Sequence, residues 1–292
     1  MKAIRIFILI LALAVSTSAW ADKLKVLLID GQNNHNWKAT TPVLVDALES
    51  SDRFAVTVST SPARNASREE WAARWNPDFS YFDVTLSNYN GQSWPDATQK
   101  GLENYVKNGG ALVVVHAANN SFSNWLEYNR MIGLGGWGGR NEKNGPYLFF
   151  NDQGKLVRDP RPGRGGSHGA QHEFIVKLRQ KDHAIVKGMP AEWKHAKDEL
   201  YDSLRGPAEN VEVLATAYSE KSKKHEPMIM TISYGKGRVF HTPMGHSDYS
   251  MRCVGFYDVV RRGTEWAATG KVTIPLSTDF PTADKVVPVA KK

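Results

Sequence analysis

Short apolar runs recur along the chain, and each breaks sharply into polar or small residues. Lys25–Asp30 (KVLLID) is apolar without alternation, as a strand buried on both faces of a parallel sheet should be. It runs into Asp30-Gly31 and a polar loop, Gln-Asn-Asn-His-Asn-Trp. Thr41-Pro42 predicts the opening of a helix, with Val43, Leu44, Ala47 and Leu48 at helical spacing. Phe54–Thr60 alternates as a strand, and Tyr81–Ser87 is a weaker one. Ser93-Trp94-Pro95 predicts the cap of a second helix to Asn108, with Leu102, Tyr105 and Val106 inward and Gly109-Gly110 as its stop. The run ALVVV at 111–115 then ends abruptly at His116, followed by two alanines and two asparagines.

Residues 133–171 break this rhythm with glycine, arginine and asparagine, and a loop of that length is expected to be functional or mobile. Its segment 133–139 lacks GxxxxGK[ST] and follows a predicted helix rather than a strand, so a flexible lid is expected rather than a phosphate cradle. Arg140, Arg161 and Arg164 are placed to reach an acidic or hydroxylated ligand from it. Phe174–Leu178, Val211–Tyr218 and Met228–Ser233 then predict strands, the last forming a hairpin with Arg238–Thr242 across Tyr-Gly-Lys-Gly. Val254–Ala268 predicts a closing amphipathic helix ended by Gly270. The expected architecture is α/β: one domain over 22–272, a mostly parallel sheet with helices on both faces and a C-terminal β-hairpin. Residues 273–292, without periodicity, are expected to be a loose tail.

The first 21 residues change the compartment expected. Lys2 and Arg5, an apolar run from Ile6 to Val15 and Ala19-Trp20-Ala21 have the layout of a signal peptide with cleavage after Ala21. The run is shorter than the ~20 residues a membrane span needs. A periplasmic or secreted protein with no membrane span after cleavage is therefore expected. Without Lys2 and Arg5 the formal charge of +7 becomes +5, spread without blocks, and no basic-aromatic stretch suggests nucleic acid. A single cysteine, Cys253, rules out an internal disulfide framework.

Polar residues cluster where the predicted strands end, and in a doubly wound sheet the loops after parallel strands converge on one edge. Asp30, Asn34, His35 and Trp37 follow the first strand; His116, Asn119 and Asn120 follow the central one, with Trp125 beyond. His168 and His172 precede another, Asp198, Glu199 and Tyr201 lie in KDELYD, and His241 and His246 lie in FHTPMGH. His116 and His246, among small residues, are the candidate catalytic pair, while His183, His195 and His225 read as structural. Asn34, Trp37, Asn119, Asn120, Trp125 and His172 fit a polyhydroxylated ligand. Imidazoles with a carboxylate suit a divalent metal, zinc first, which His35, His116, Glu199 and His246 would share. No HExxH, HxH or CxxC motif is present, so such a site is assembled from distant loops or the histidines do acid–base work instead. Asp198 and Glu199 adjoin, and consecutive strand residues face opposite ways, which makes them a poor catalytic pair.

Four stretches, KVLLIDGQNNHNW, GGALVVVHAANNSF, HAIVKGMPAEWKHAKDELYD and EPMIMTISYGKGRVFHTPMGH, resemble the ThuA-like (trehalose utilisation) family over most of residues 24–270. The resemblance implies the flavodoxin-like fold of class I glutamine amidotransferases. It also implies that His116 stands where those enzymes carry a cysteine nucleophile, so glutamine hydrolysis is not expected. His246 would correspond to their histidine after a late strand. ThuA-like proteins are associated with breakdown of trehalose and related disaccharides, beside dehydrogenases that make 3-keto-sugars. The function expected is thus an exported enzyme acting on a glycoside or 3-keto-glycoside by histidine acid–base or metal-assisted chemistry, with a carbohydrate as its partner and no nucleotide cofactor. Two alternatives stand beside it: a non-catalytic carbohydrate-binding module, and a metal-dependent hydrolase of another substrate class.

Overall fold

The computed structural model describes residues 22–290, so the leader expected at 1–21 lies outside the described residues. In chain order the elements are β1 (Leu24–Asp30), α1 (Trp37–Glu49), β2 (Phe54–Thr60), α2 (Arg68–Arg74), β3 (Val84–Ser87), α3 (Asp96–Lys107), β4 (Ala111–Val115) and α4 (Leu126–Ile132). After these come β5 (Tyr147–Phe150), β6 (Leu156–Asp159), β7 (Ser167–His168), β8 (His172–Leu178), β9 (Glu192–Asp198) and β10 (Tyr201–Asp202). The chain closes with β11 (Val211–Ser219), β12 (Lys224–Tyr234), β13 (Gly237–Thr242), α5 (Asp248–Met251) and α6 (Val254–Thr269).

The main sheet has the order β2-β1-β3-β4-β13-β12-β11-β8-β9. Its first five strands are parallel, and the rest extend it antiparallel. The expected mostly parallel sheet is therefore a mixed one with a parallel core. The physical reason lies in the connections: the later strands return through short turns and loops, and parallel neighbours would need a crossover helix each time. Along β1 and β4 the buried residues divide by face. Val26, Leu28, Val113 and Val115 pack with Val43 and Leu44 of α1 and Val259 and Val260 of α6. Leu27, Ile29, Leu112 and Val114 pack with Leu102 and Val106 of α3 and Met131 of α4. Burial on both sides is why these strands read as unbroken apolar runs.

Three expectations are corrected. The first helix opens at Trp37 rather than Thr41, with Pro42 inside it; Thr40 and Thr41 are buried and hold Asn88 through their hydroxyls at 3.0 Å each. The segment 133–139 is not a free lid, and the stretch 133–171 around it is tied down. Arg140 is buried and donates to the carbonyls of Asn120, Ser121 and Gly136 and to Asn129 Oδ1. Arg205 likewise ties Gly145, Arg161 and Gly163, while Arg161 itself is paired with Asp159 at 2.6 Å. Nor is the C-terminal segment loose: Ile274 is buried, and Phe280, Val286 and Val289 pack on the core. Backbone bonds from Lys194 to Thr282 and from Val254 to Val287 dock the segment against β9 and α6. Among the described residues no helix is long and apolar enough to cross a membrane.

Candidate metal centre

The carboxyl ends of β1, β4, β13 and β9 lie on one edge of the sheet, and each delivers one side chain to a common point. His35 follows β1, His116 follows β4, His246 follows β13 and Glu199 follows β9. One ligand atom from each of these four lies within 4.8 Å of all the others. His35 sits with its ring 4.8 Å from that of His116 and 4.5 Å from that of His246. The His116 and His246 rings face at 5.7 Å and 84°.

His116 is held in an uncommon backbone state, with φ +46° in the left-handed region. A non-glycine residue there stores roughly 1–3 kcal/mol of strain that its surroundings must offset. The ring is fixed by Nδ1, which donates to the Pro243 carbonyl at 2.7 Å. Its other nitrogen, Nε2, is buried with no hydrogen-bond partner and lies 3.7 Å from Glu199 Oε2. His246 Nδ1 approaches the same oxygen at 3.1 Å, yet its angles fall outside a hydrogen bond. The far nitrogen of His246 meets the Gln171 amide at 3.0 Å, and Gln171 is braced by the Tyr249 hydroxyl. His35 Nε2 lies 3.2 Å from the Tyr201 hydroxyl and 3.1 Å from Asn34 Nδ2.

Two buried donors aimed at one carboxylate without bonding to it are the geometry of ligands converging on a cation. The ring at His116 also donates its far N–H to a backbone carbonyl, the usual orientation of a metal-ligating histidine. Electrostatics agree. Burial, followed by the fields of His116 and His246, lowers His35 to about 3, so it is a neutral lone-pair donor. Burial would raise Glu199, but the facing His116 and His246 outweigh it and hold the carboxyl well below the usual carboxylate range. The same contact with Glu199 raises His246. Three imidazoles and a carboxylate form a donor set for a borderline divalent ion such as zinc.

The neighbouring carboxylate turns the other way. Asp198 is buried behind the site, 2.8 Å from His195 Nε2. Burial opposes charge on His195, but Cys253 and Asp198 outweigh it and push the imidazole up to about 10.

Other expected residues are distributed around this group. Asn34 touches His35 and accepts from Asn90, Asn120 lies 3.4 Å from the Tyr201 hydroxyl, and Trp37 starts α1, partly exposed. Asn119 is not a crevice residue: it is buried against His241, which is itself bonded to the Ile132 carbonyl. Trp125 is core, packed with Phe122 and Tyr128 and donating to Glu103. His172 is exposed, bonded to the Ala170 carbonyl and edge-on to Phe174, outside the group of four. Gln171 was absent from the expected site, and Tyr201 and His168 were expected at the edge without a role. Tyr201 is a buried ring 4.2 Å from that of His116, and Gln171 braces His246. His168 has its Nε2 3.8 Å from Glu199 Oε1 and its side chain 37% exposed. His168 and Tyr201 pair across the small β7–β10 sheet, a pairing too short to leave any periodic trace.

Comparison with known proteins identifies the family. No curated protein matches the chain. A ThuA-like protein from Parabacteroides merdae ATCC 43184 is 46% identical, with 91% of this chain and 98% of that one covered and a TM-score of 0.87. Another from Bacteroides uniformis ATCC 8492 shares the fold at 17% identity, with 89% and 96% covered and a TM-score of 0.57. Residues 25–267 match the family described as trehalose utilisation, and the chain belongs to that ThuA family.

Proposed function

We propose that this protein is an exported, metal-dependent enzyme acting on a glycoside or its 3-keto derivative, with His35, His116, Glu199 and His246 holding a divalent ion, zinc by donor type. The observation that carries the reading is the convergence of those four ligand atoms within 4.8 Å. Two buried nitrogens there have no hydrogen-bond partner, which a bound cation would supply. The family's description, trehalose utilisation, supports a disaccharide-like substrate, and the leader at 1–21 supports export.

When bound, such an ion polarises a carbonyl or lowers the pKa of a water. The remaining work falls to side chains. His168, partly exposed and beside Glu199, is placed to take a proton at Nε2, since its Nδ1 donates to the Gly169 carbonyl at 2.8 Å. For a 3-keto-glycoside, the proton leaves the carbon next to the ketone. The C–H electron pair then forms a double bond as the glycosidic oxygen departs, and that oxygen takes up a proton. Asn34 and Asn120 offer amides, and Trp37 and Trp137 aromatic faces, for a hydroxylated ring.

The test is turnover of 3-keto-disaccharides and plain disaccharides by protein with and without chelator. Loss on chelation with recovery on adding Zn²⁺, Mn²⁺ or Co²⁺ is expected. Turnover indifferent to chelator would contradict metal dependence; sugar binding without turnover would make the protein a binding module.

A further inference from the structure

Glu199 and His246 come from distant parts of the chain, and nothing in their own side chains fixes the distance between their backbones. Behind them, one buried carboxylate does. Asp198 Oδ1 accepts the backbone N–H of Glu199 at 2.8 Å and of His246 at 2.9 Å. Its Oδ2 accepts the N–H of Gly245 at 2.7 Å and His195 Nε2 at 2.8 Å. A carboxylate offers about four acceptor positions, and here all four are used. Gly245 has φ +112°, a conformation that favours glycine and lets two successive N–H groups turn onto the same carboxylate. On its far side His195 meets Cys253 Sγ at 3.7 Å, and the thiol donates to the Ser250 carbonyl at 3.5 Å. Asp198 and His195 are 0% exposed and Cys253 2%. Cysteine, histidine and aspartate thus stand in line, as in a nucleophilic triad, but sealed from substrate.

We infer that Asp198, with His195 behind it, is a positioning unit that sets the spacing of Glu199 and His246 in the metal centre. The inference rests on the metal reading above and deepens it. Its chemistry follows from bond counting. Every bond to Asp198 comes from a donor, so an amide at this position would turn an NH₂ either toward the N–H groups of Glu199 and His246 or toward the Gly245 N–H and His195. The loop carrying His246 would then shift relative to Glu199, and the ligands would lose their common point. Partners behind metal ligands are worth about 10–100-fold in metal affinity.

Titration of the metal-free, full-length mature protein with Co²⁺, followed by visible absorption and calorimetry, tests this. Asp198→Asn and His195→Gln are compared with Val259→Ala, a core truncation on α6 that weakens the fold without touching the carboxylate. The expected result is a loss in Co²⁺ affinity on the order of 10–100-fold for Asp198→Asn, with displaced absorption bands. His195→Gln should lose affinity in the same direction, and Val259→Ala should lower Tm with affinity and bands intact. Should Asp198→Asn fail to fold, His195→Gln decides the matter. Wild-type affinity and bands in the foldable variants overturn the positioning role alone. A wild type that binds no Co²⁺ overturns the metal reading, and this inference with it.

Discussion

Glu199 and Asp198 are neighbours in sequence with opposite duties. Glu199 faces three imidazoles, and Asp198 faces backbone N–H groups and His195. Glu199→Gln removes the charge while nearly conserving shape. It should cut metal affinity at least about 100-fold, more than a residue behind the ligands would, and leave the circular dichroism of the fold unchanged. A second carboxylate tests burial rather than function. Burial pushes Glu226 up to about 7, with the Ser222 hydroxyl bond opposing. Its folded-state value is above its unfolded one, so the protonated form is the one the fold prefers. Its contribution is full below about 4.5 and is lost as pH rises through about 7. Glu226→Gln should therefore gain on the wild type between those values, by on the order of 3 kcal/mol, in denaturant melts at matched pH. At this scale the strand-end places of His116 and His246 and the opposite facing of 198 and 199 were legible, because strand ends and strand alternation leave marks in sequence. Gln171 was not, and Tyr201 and His168 were placed at the edge without a role, since their roles arise from contacts between loops far apart in the chain.

Among the elements, the parallel strands and the helices α1, α3 and α6 announced themselves through apolar runs and helical spacing. What misled was the glycine-rich stretch from Gly133. Its composition suggests mobility, yet tertiary contacts fix it. Gly136 and Gly166 approach so closely that a Cβ on Gly166 would lie 2.6 Å from the Cα of Gly136. Arg140 then ties this layer to the turn after β4 with bonds that only a guanidinium fork can make. Arg140→Met would strand several buried carbonyls. It should cost about 3 kcal/mol or more, read as a fall of about 6–12 °C in Tm. An unchanged Tm would mean that the layer is held by its glycines alone.

At the scale of the whole molecule, the parallel core provides the edge and the antiparallel extension brings β9 back to it. That return delivers Glu199, the one member of the group of four not drawn from the parallel strands. The segment 273–290 then closes over β9 and α6. Proline and lysine made it look unstructured, but its apolar residues are spaced irregularly because they fill gaps in an existing surface. Deleting it should lower stability by on the order of 3 kcal/mol through exposure of Ile274 and its neighbours, measured by thermal melts. The family resemblance pointed to this edge, and the convergence of His35, His116, Glu199 and His246 there is the basis of the chemistry proposed above. That chemistry is the central claim, and metal content tests it most directly. Elemental analysis of mature protein purified without chelator or metal-affinity tag should find about one divalent ion per chain, lost in a His116→Ala, His246→Ala variant that still folds. Metal-free wild-type protein that also takes up none of Zn²⁺, Mn²⁺ or Co²⁺ on dialysis would contradict it.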